Sequence, residues 1–261
     1  MKTYQKIIML IIILIILIGI GFVTYSYVLK ATYNVENPIA TIEVENFGTI
    51  KVELYPSQAP NTVSNFIALA NNEFYDNLTF HRTIPDFMIQ GGDKNNDGTG
   101  SPTLSAINKN IEAGSKEDTE YSITGEFYAN GFKNNNIKFE KGVLAMARSD
   151  YSSIISTLLN EGYNSAGSQF FIMTKETDSL NGMYTGFGKV IEGLDVVDKI
   201  ANVEVITRDS SAEEGLDKPV NPPVIKSIRV ETYGIDYGLP KTQEPFDYYT
   251  WMMRQYSGGS N

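Results

Sequence analysis

Most of the residues in this chain that could do chemistry lie in one short segment, residues 80–93, which reads FHRTIPDFMIQGGD. Arg82 brings a permanent positive charge on a planar group whose directed donors can hold a carbonyl oxygen. By itself, an arginine next to a histidine in a strand is usually solvated or paired with an acid. The chain contains no cysteine, and His81 is its only histidine. These two counts exclude thiol catalysis, disulfides and any mechanism that needs two histidines.

A metal site is an alternative interpretation, because the next loop begins like a calcium-binding loop. Asp93, Asn95 and Asp97 alternate and Gly98 follows them, which matches the start of an EF-hand loop. The twelfth position of such a loop requires a bidentate glutamate, but here it is Leu104. The flanking segments also lack a helical pattern. We therefore predict neither a metal nor a cofactor.

The elements that must position these residues are mostly short strands. Two-residue alternation over Ala40–Glu45 and Thr49–Tyr55, around a turn at Phe47-Gly48, predicts a β-hairpin. Further β-rich runs lie at Leu78–Thr83, Phe87–Gln90, Gly142–Arg148, Gln169–Thr174, Phe187–Ile191 and Val224–Thr232. Apolar residues at helical spacing predict two helices, one beginning at Pro60 and one over Leu194–Ala201.

Many short strands, glycine-rich connections and only two helices predict an all-β fold. We expect a closed eight-stranded antiparallel barrel, capped by the two helices, within residues 38–238. Three stretches would be additions to this barrel. Two are long polar connections at residues 103–124 and 150–166, and the third is an aromatic-rich tail at residues 239–261.

An apolar segment precedes the predicted barrel. The run Ile7–Val23 is unbroken, and the chain stays largely apolar up to Lys30. As a helix, about 20 such residues would cover the ~30 Å hydrocarbon core of a bilayer. We predict a transmembrane helix within residues 1–30 and a linker at 31–37, with a cleaved secretory signal as the alternative. Lysines precede the span and acidic residues follow it, so the N-terminus is expected in the cytoplasm.

The remainder of the chain is strongly acidic. Of the 21 basic residues, Lys2, Lys6 and Lys30 lie at the N-terminus, which leaves 18 against 31 acids and a net charge of −13. Nucleic-acid binding needs a basic stripe that displaces counterions from phosphates. The sequence has no such stripe, so we predict no nucleic-acid partner.

The segment at residues 80–93, with Gly98-Thr99-Gly100 after it, resembles the signature FHR-x-IP-x-FM-x-QGGD of the cyclophilin family of peptidyl-prolyl cis-trans isomerases. Other matching runs follow in the family's order, at residues 59–66, 142–147, 167–172, 180–182 and 187–190. The resemblance covers roughly residues 38–234. With its apolar N-terminal segment, the chain looks like a membrane-anchored bacterial form of the family.

The resemblance implies isomerisation of X–Pro peptide bonds. Such a bond exchanges over a barrier of about 18–20 kcal/mol, because amide resonance is lost when the bond twists. No covalent bond is broken, so a catalyst needs only to bind the twisted amide better than either planar form. By resemblance, Arg82 donates to the prolyl amide and holds the neighbouring carbonyl. Phe87 and Gln90 are implied as the other catalytic residues.

The resemblance also implies a substrate-binding surface that has an apolar seat for the proline ring and a polar rim for the substrate main chain. Its residues are His81, Met88, Ala147, Arg148, Gln169, Phe171, Leu180 and Tyr184. In the family, the glutamines hold the substrate main chain and orient the arginine. Tyr184 stands where many members have histidine, and Arg148 adds a second cation near the groove. His81 is expected to pack beside the site rather than to act as a base.

Two functions remain in competition at the level of sequence. The first is an isomerase on proline-containing polypeptides, held at the cell membrane by a single span with its catalytic domain outside, or secreted after signal cleavage. The second is a non-catalytic, cyclophilin-like chaperone or scaffold. This hypothesis rests on four apolar residues of the 150–166 stretch that could form a partner-binding lid: Ile154, Ile155, Leu158 and Leu159. Packing on the barrel is favoured, because isolated apolar patches rarely stay exposed.

Overall fold

The computed structural model describes residues 3–32, 36–206 and 217–257. The chain divides into two compact units, Met1–Glu36 and Asn37–Asn261. In the first unit, helix α1 spans Thr3–Thr32, and its stretch Ile7–Tyr25 has a mean hydropathy of 3.3, with every side chain whose burial is described exposed. By length and composition this helix could cross a membrane, and a signal sequence would meet the same criteria. Part of the predicted linker, residues 33–35, lies outside the described residues.

In the described part of the second unit, eight strands form one antiparallel sheet. They are β1 Ile39–Val44, β2 Gly48–Leu54, β3 Phe80–Ile84, β4 Met88–Gly91, β5 Val143–Met146, β6 Phe170–Met173, β7 Gly186–Glu192 and β8 Ile225–Glu231. Their order across the sheet is β3-β4-β6-β5-β7-β2-β1-β8. Each strand lies within two residues of its predicted position, so the alternation pattern is confirmed.

The predicted closed barrel is not supported. Strands β3 and β8 stand at the two ends of the sheet order, and no ladder joins them among the described residues. The recorded main-chain bonds join the first residue of each strand to the segment before the other: Ile225 N donates to Leu78 O at 2.7 Å, and Phe80 N donates to Pro223 O at 2.9 Å. Pro222 and Pro223 have no N–H to donate, which limits the pairing at this edge. The sheet is therefore a curled half-barrel.

Both predicted helices are confirmed, as α2 Pro60–Asn71 and α5 Leu194–Ala201. Helix α2 packs the ring of Phe66 against the rings of Phe170 and Phe187, with centroids 5.7 and 5.2 Å apart. These rings are fully buried and form the centre of the main core between sheet and helix. A mixed aromatic and aliphatic interior of this kind stabilises the sheet that carries residues 80–93.

The three additional stretches contain short helices that the sequence did not predict. They are α3 Leu104–Ile107, α4 Leu159–Tyr163 and α6 Tyr248–Ser257. The tail is fastened to the domain, since Gln243 pairs with Ser122 through two main-chain hydrogen bonds of 2.9 and 3.0 Å. In the 150–166 stretch Leu158 is buried, whereas Ile154 is 63% exposed, so only part of its apolar set packs on the domain. Residues 258–261 of the tail lie outside the described residues.

Candidate active site

The β3–β4 hairpin places the arginine and the first glutamine side by side. Arg82 and Gln90 are cross-strand partners in the antiparallel register. Asp86 occupies the turn between the strands with φ of 57°, a conformation that aspartate adopts more readily than most residues. Because successive side chains of a strand alternate between faces, Arg82 reaches the half-exposed face while its neighbour His81 points inward.

Next to this hairpin lies a pocket of about 140 Å³. Its lining residues come from strands β3, β4 and β6, from the turn before β4, from the two residues after β5 and from the segment before β7; they are Arg82, Phe87, Met88, Gln90, Ala147, Arg148, Phe171, Leu180 and Tyr184. All nine are among the eleven residues that the sequence predicts for the site. The structure therefore brings together side chains that are up to 102 positions apart in the chain.

The apolar side of the pocket rests on a second small core, separate from the main one. Met88 and Phe171 are almost fully buried in this cluster, together with Phe139. The ring of Phe171 stacks on Phe139 at 6.2 Å and meets the edge of Tyr184 at 5.7 Å. Rings held on two sides keep fixed rotamers, so the apolar seat is formed before any substrate binds.

A chain of amide hydrogen bonds forms the polar side. Gln90 Nε2 donates to Gln169 Oε1 at 3.0 Å, and Gln169 Nε2 donates to the carbonyl oxygens of Gly98 and Gly100 at 3.0 and 3.3 Å. With its amide nitrogen used in this way, Gln90 keeps its own carbonyl oxygen as an acceptor.

The calcium-like loop organises itself with its own main chain. The buried carboxylate of Asp93 accepts hydrogen bonds from the main-chain N–H groups of Asp97 and Gly98 at 2.8 and 2.6 Å. A Cβ at Gly100 would collide with this carboxylate, which explains the glycine there. Within the described residues, no cluster of three metal-ligating side chains is present. The alternating acids thus act as turn-forming acceptors that set the loop beneath Gln169.

The guanidinium of Arg82 has an acidic partner outside the pocket. Its Nη2 lies 3.5 Å from Oδ2 of Asp217, and both side chains are partly exposed. The main chain supports the pair, because Thr83 N donates to Asp217 O at 2.9 Å. Gln90 lies beside Arg82 in the sheet, but the guanidinium pairs with Asp217. The arginine is thus paired with an acid that does not line the pocket.

Arg148, which the sequence suggests as a second cation, is enclosed by aromatic rings. Its Cζ lies 4.4 Å from the ring centroid of Tyr184, 4.9 Å from that of Tyr163 and 5.8 Å from that of Phe127. It also donates to the carbonyl oxygens of Met183 and Ser149. Cation–π contacts and two hydrogen bonds occupy this guanidinium, so it supports the pocket wall.

Two predicted residues are not part of the pocket lining. Gln169 lies directly behind it and contacts it through Gln90. His81 is buried, and neither of its ring nitrogens has a hydrogen-bond partner in the structure. Burial lowers the pKa of His81 from its usual range, while Asp93 partly opposes that shift. His81 is thus a buried, uncharged residue that packs next to the pocket without lining it.

Sequence reasoning did not find four residues that support the pocket. They are Phe139, which stacks on Phe171, Phe127 and Tyr163, which enclose Arg148, and Asp217, which pairs with Arg82. None lies in a segment with a matching family run. The many aromatic residues of the chain could have suggested that Arg148 is enclosed by rings. They do not indicate which rings enclose it.

Comparison with known proteins agrees with this geometry. The sequence model of the family "Cyclophilin type peptidyl-prolyl cis-trans isomerase/CLD" matches residues 39–230. Peptidyl-prolyl cis-trans isomerase B of Bacillus subtilis is 37% identical over 163 residues, which cover 62% of this chain and 90% of that protein. Peptidyl-prolyl cis-trans isomerase-like 2 of Gibberella zeae is 33% identical over 203 residues, and the match spans 78% of this chain but only 28% of that longer relative.

A solved structure shows the same fold. The cyclophilin-type isomerase of Cryptosporidium parvum, crystallised in the presence of the dipeptide Ala-Pro, superposes with a TM-score of 0.55 and 29% sequence identity. The match covers 74% of this chain and 98% of that one. The family match, the relatives, the half-barrel and the pocket agree. The chain therefore belongs to the family of cyclophilin-type peptidyl-prolyl cis-trans isomerases.

Proposed function

We propose that this protein accelerates the cis–trans isomerisation of X–Pro bonds in polypeptides that fold outside the cytoplasmic membrane. One observation carries the catalytic part of the proposal: Arg82 lines the same 140 Å³ pocket as the rings of Phe87 and Phe171. A preformed apolar seat suits a proline ring, and a fixed cation at its rim suits the imide bond attached to that ring.

The mechanism requires that the pocket bind the twisted bond better than the planar one. The apolar seat fixes the proline ring, so that the preceding carbonyl is the part that rotates. In the twisted state the imide nitrogen loses resonance and regains a lone pair, which can accept a hydrogen bond from Arg82. In the planar isomers this lone pair is delocalised and accepts a hydrogen bond poorly. The contact with Arg82 therefore favours the transition state. An acceleration of about 10⁵ would require roughly 7 kcal/mol of such differential binding.

The polar rim has the complementary task of holding the main chain still. The carbonyl oxygen of Gln90 is left as an acceptor, because its amide nitrogen is engaged by Gln169. A substrate N–H next to the proline is a suitable donor for it. Fixing one side of the bond while the other rotates reduces the entropy lost in reaching the twisted state.

The location rests on the first unit. The stretch Ile7–Tyr25 is long and apolar enough to span a bilayer, and Lys2 and Lys6 precede it. Acidic residues such as Glu36, Glu43 and Glu45 follow the segment, and the positive-inside rule then favours a cytoplasmic N-terminus. We propose that α1 is a retained anchor and that the isomerase domain faces away from the cytoplasm, with secretion after cleavage as the alternative.

An exchange experiment tests the activity and separates it from binding alone. The full chain in a non-ionic detergent is added, at catalytic amounts, to a peptide with one X–Pro bond, and cis–trans exchange is measured by NMR. An isomerase increases the exchange rate without changing the cis:trans ratio. A non-catalytic chaperone or scaffold would shift the peptide resonances in proportion to its concentration and leave the rate unchanged, which would refute the proposal.

Single-cysteine labelling tests the location, because the native chain has no cysteine. Ser57→Cys places a thiol on an exposed turn of the domain, and Thr3→Cys places one before the apolar stretch. In intact cells, a membrane-impermeant maleimide should label Ser57→Cys but not Thr3→Cys, and the mass should equal that of the full chain. Labelling of Thr3→Cys alone would reverse the topology. Loss of about 30 N-terminal residues would indicate a cleaved signal.

A further inference from the structure

Helix α6 in the tail packs on the domain through one of its faces. Tyr248 stacks on Tyr151 of the 150–166 stretch with ring centroids 5.6 Å apart, and Trp251 stacks on Tyr248 at 6.0 Å. Trp251 also meets the ring of Phe246 at 6.3 Å. Residues three or four positions apart share one face of an α-helix. Tyr248 and Trp251 therefore mark the side of α6 that faces the domain.

Another side of α6 exposes large apolar side chains to solvent. Tyr249, Met253 and Tyr256 are 66%, 49% and 77% exposed. Their spacing of four and then three residues places them in one line along the helix, which we call the outer stripe. A helix on a domain surface normally turns such a stripe towards the core. An apolar stripe that faces outward is instead typical of a site that contacts a partner or a membrane.

The 150–166 stretch, on which α6 packs, adds exposed apolar residues of its own. Ile154 is 63% exposed and Leu159 is 39% exposed. Ile154 N donates to Tyr151 O at 3.1 Å, so Ile154 follows within one turn of the ring that supports α6. The sequence suggests a partner-binding lid for these residues. The tail and the 150–166 stretch thus contact each other, and both expose apolar side chains.

The outer stripe is small for a protein interface. A helix of ten residues such as α6 is about 15 Å long and about 10 Å wide, so one face covers roughly 150 Å². A stable complex buries about 800 Å² on each partner. A lipid surface sets no such minimum, because an amphipathic helix can lie along it with its apolar side chains among the headgroups. Size therefore favours a bilayer over a second copy of the chain or another protein.

The chemistry of α6 also suits a bilayer surface. Tyrosine and tryptophan are enriched where membranes meet water, because each joins an apolar ring to a polar tip. The helix contains no acid and one base, Arg254, although the chain carries 31 acids against 21 basic residues. Asp247, just before the helix, accepts the main-chain N–H of Thr250 at 2.9 Å and so caps it. Lipid phosphates therefore meet little repulsion from α6 itself.

The proposed anchor keeps a bilayer within reach of the domain. Six residues, 33–38, separate the end of α1 from the start of β1, and six residues extend to at most about 20 Å. Short connections of this kind give effective concentrations of millimolar order. A surface that binds lipid only weakly is then occupied for much of the time. The outer stripe thus needs little lipid affinity of its own.

We propose that the outer stripe of α6, formed by Tyr249, Met253 and Tyr256, rests on the lipid headgroups of the membrane that α1 spans. The inference rests on the proposed location, since it takes α1 as a retained anchor. Contact at α6 gives the isomerase domain a second attachment to the bilayer besides its tether. Because α6 stacks on Tyr151, this attachment is made through the tail and the 150–166 stretch.

The single tryptophan of the chain reports on this contact, because Trp251 lies in α6. The full chain is placed in phosphatidylcholine nanodiscs, with or without lipid that carries a nitroxide quencher near the headgroup. The nitroxide lipid should lower Trp251 emission about twofold, as expected when half or more of the helices are docked. Unchanged emission, in discs that hold the full chain, would overturn the inference and leave the proposed anchor standing.

Matched variants assign the quenching to the outer stripe. A triple variant with Tyr249→Gln, Met253→Gln and Tyr256→Gln keeps helix-forming residues and removes the apolar surface, so quenching should largely disappear. The control triple variant replaces residues that are exposed to a similar degree outside the tail, and it should be quenched like the unaltered chain; its changes are Ile191→Gln, Val220→Gln and Tyr233→Gln. Equal quenching in the two triple variants would show that the tether alone brings Trp251 to the lipid, and would overturn the contact.

A folding control accompanies both triple variants. The wavelength of Trp251 emission in discs without nitroxide should be the same in each, because its contacts with Tyr248 and Phe246 are left in place. Equal urea midpoints in detergent show that the domain remains folded. Loss of quenching together with a shifted emission wavelength would mean that α6 has left the domain, and the docked stripe would not be supported.

The remaining outcomes point to another occupant or remove the premise. If the nitroxide lipid leaves Trp251 unquenched, and the outer-stripe variant lowers the mass of the chain measured by sedimentation in detergent, the stripe binds a second copy and the lipid contact is wrong. Recovery of the chain without about 30 N-terminal residues would refute the retained anchor and this inference with it. None of these measurements depends on X–Pro exchange, so their failure leaves the isomerase proposal standing.

Discussion

Arg82 and Asp217 form an ion pair in which only one partner faces the pocket. Nη2 of Arg82 lies 3.5 Å from Oδ2 of Asp217, yet Asp217 is not among the pocket-lining residues. The carboxylate thus holds the guanidinium without lining the pocket itself, and residues 207–216, which precede Asp217, lie outside the described residues. Positioning of this kind should affect the rate of rotation about the X–Pro bond more than it affects substrate binding.

Asp217→Asn should lower kcat while leaving KM nearly unchanged. A partly exposed pair contributes modestly, so we expect a loss of about two- to fivefold. Exchange kinetics over a range of peptide concentrations separate the two parameters. Asp195→Asn, which removes an exposed pair with Lys199 on α5, is the matched control and should have no effect. A raised KM with unchanged kcat would contradict the positioning role.

Arg148→Met should weaken both the pocket wall and the folded state. Methionine keeps the length of the side chain but loses the contacts with the rings of Tyr184 and Tyr163 and two hydrogen bonds. We expect KM to rise and the free energy of unfolding to fall by about 2 kcal/mol, measured by urea denaturation. Lys175→Met on the exposed surface serves as control. An unaltered KM and urea midpoint would show that the enclosure is incidental.

Glu126 should be important for stability through helix α2. Its buried carboxylate accepts the main-chain N–H of Asn61 at 3.0 Å and both the N–H and the hydroxyl of Thr62, at 2.8 and 2.7 Å. Ala59, the residue before the helix, makes no capping side-chain bond. Glu126→Ala should therefore lower the free energy of unfolding by about 3 kcal/mol, because these buried donors lose a charged acceptor. The exposed change Glu112→Ala should leave the urea midpoint unchanged.

His81 should titrate below the normal range. Burial lowers its folded-state pKa, whereas the unfolded chain keeps the ordinary value of about 6.5. The unfolded state therefore binds more protons near that pH. The contribution of His81 to the free energy of unfolding is fully present above about pH 6.5 and is lost as the pH falls below it. NMR titration of the single imidazole measures the pKa directly. A value at or above 6.5, or equal urea midpoints at pH 7.5 and 5.5, would disagree with this account.

Much of the fold could be predicted because its signals are local. Alternating apolar and polar residues predict strands such as β1 and β2, and Pro60 with apolar residues at helical spacing predicts α2. The edge of the sheet is different. Whether β3 and β8 pair is decided by chain segments more than a hundred residues apart, and the prolines at 222 and 223 withhold donors there. Local pattern alone predicts strands but not closure.

In the site, too, some residues could be predicted from the sequence and others could not. A fourteen-residue family run predicts Arg82, Phe87 and Gln90, and the pocket contains them. Asp217 gives no signal, because one acid among many in an acidic chain does not reveal its partner. The tail is the larger omission, since main-chain hydrogen bonds such as those between Ser122 and Gln243 fix its position and any residue can make them. Part of this predicted appendage, residues 244–248, lines a groove next to the pocket.

The most direct test of the account is kcat/KM for X–Pro exchange in Arg82→Ala and Arg82→Lys. Loss of a donor aimed at the reacting bond should reduce kcat/KM about 10²- to 10³-fold in Arg82→Ala. Arg82→Lys keeps the charge but not the planar donors, so it should recover only part of the activity. The exposed change Arg254→Ala on α6 should have no effect. An Arg82→Ala protein that remains within about twofold of the unaltered chain would contradict the central claim.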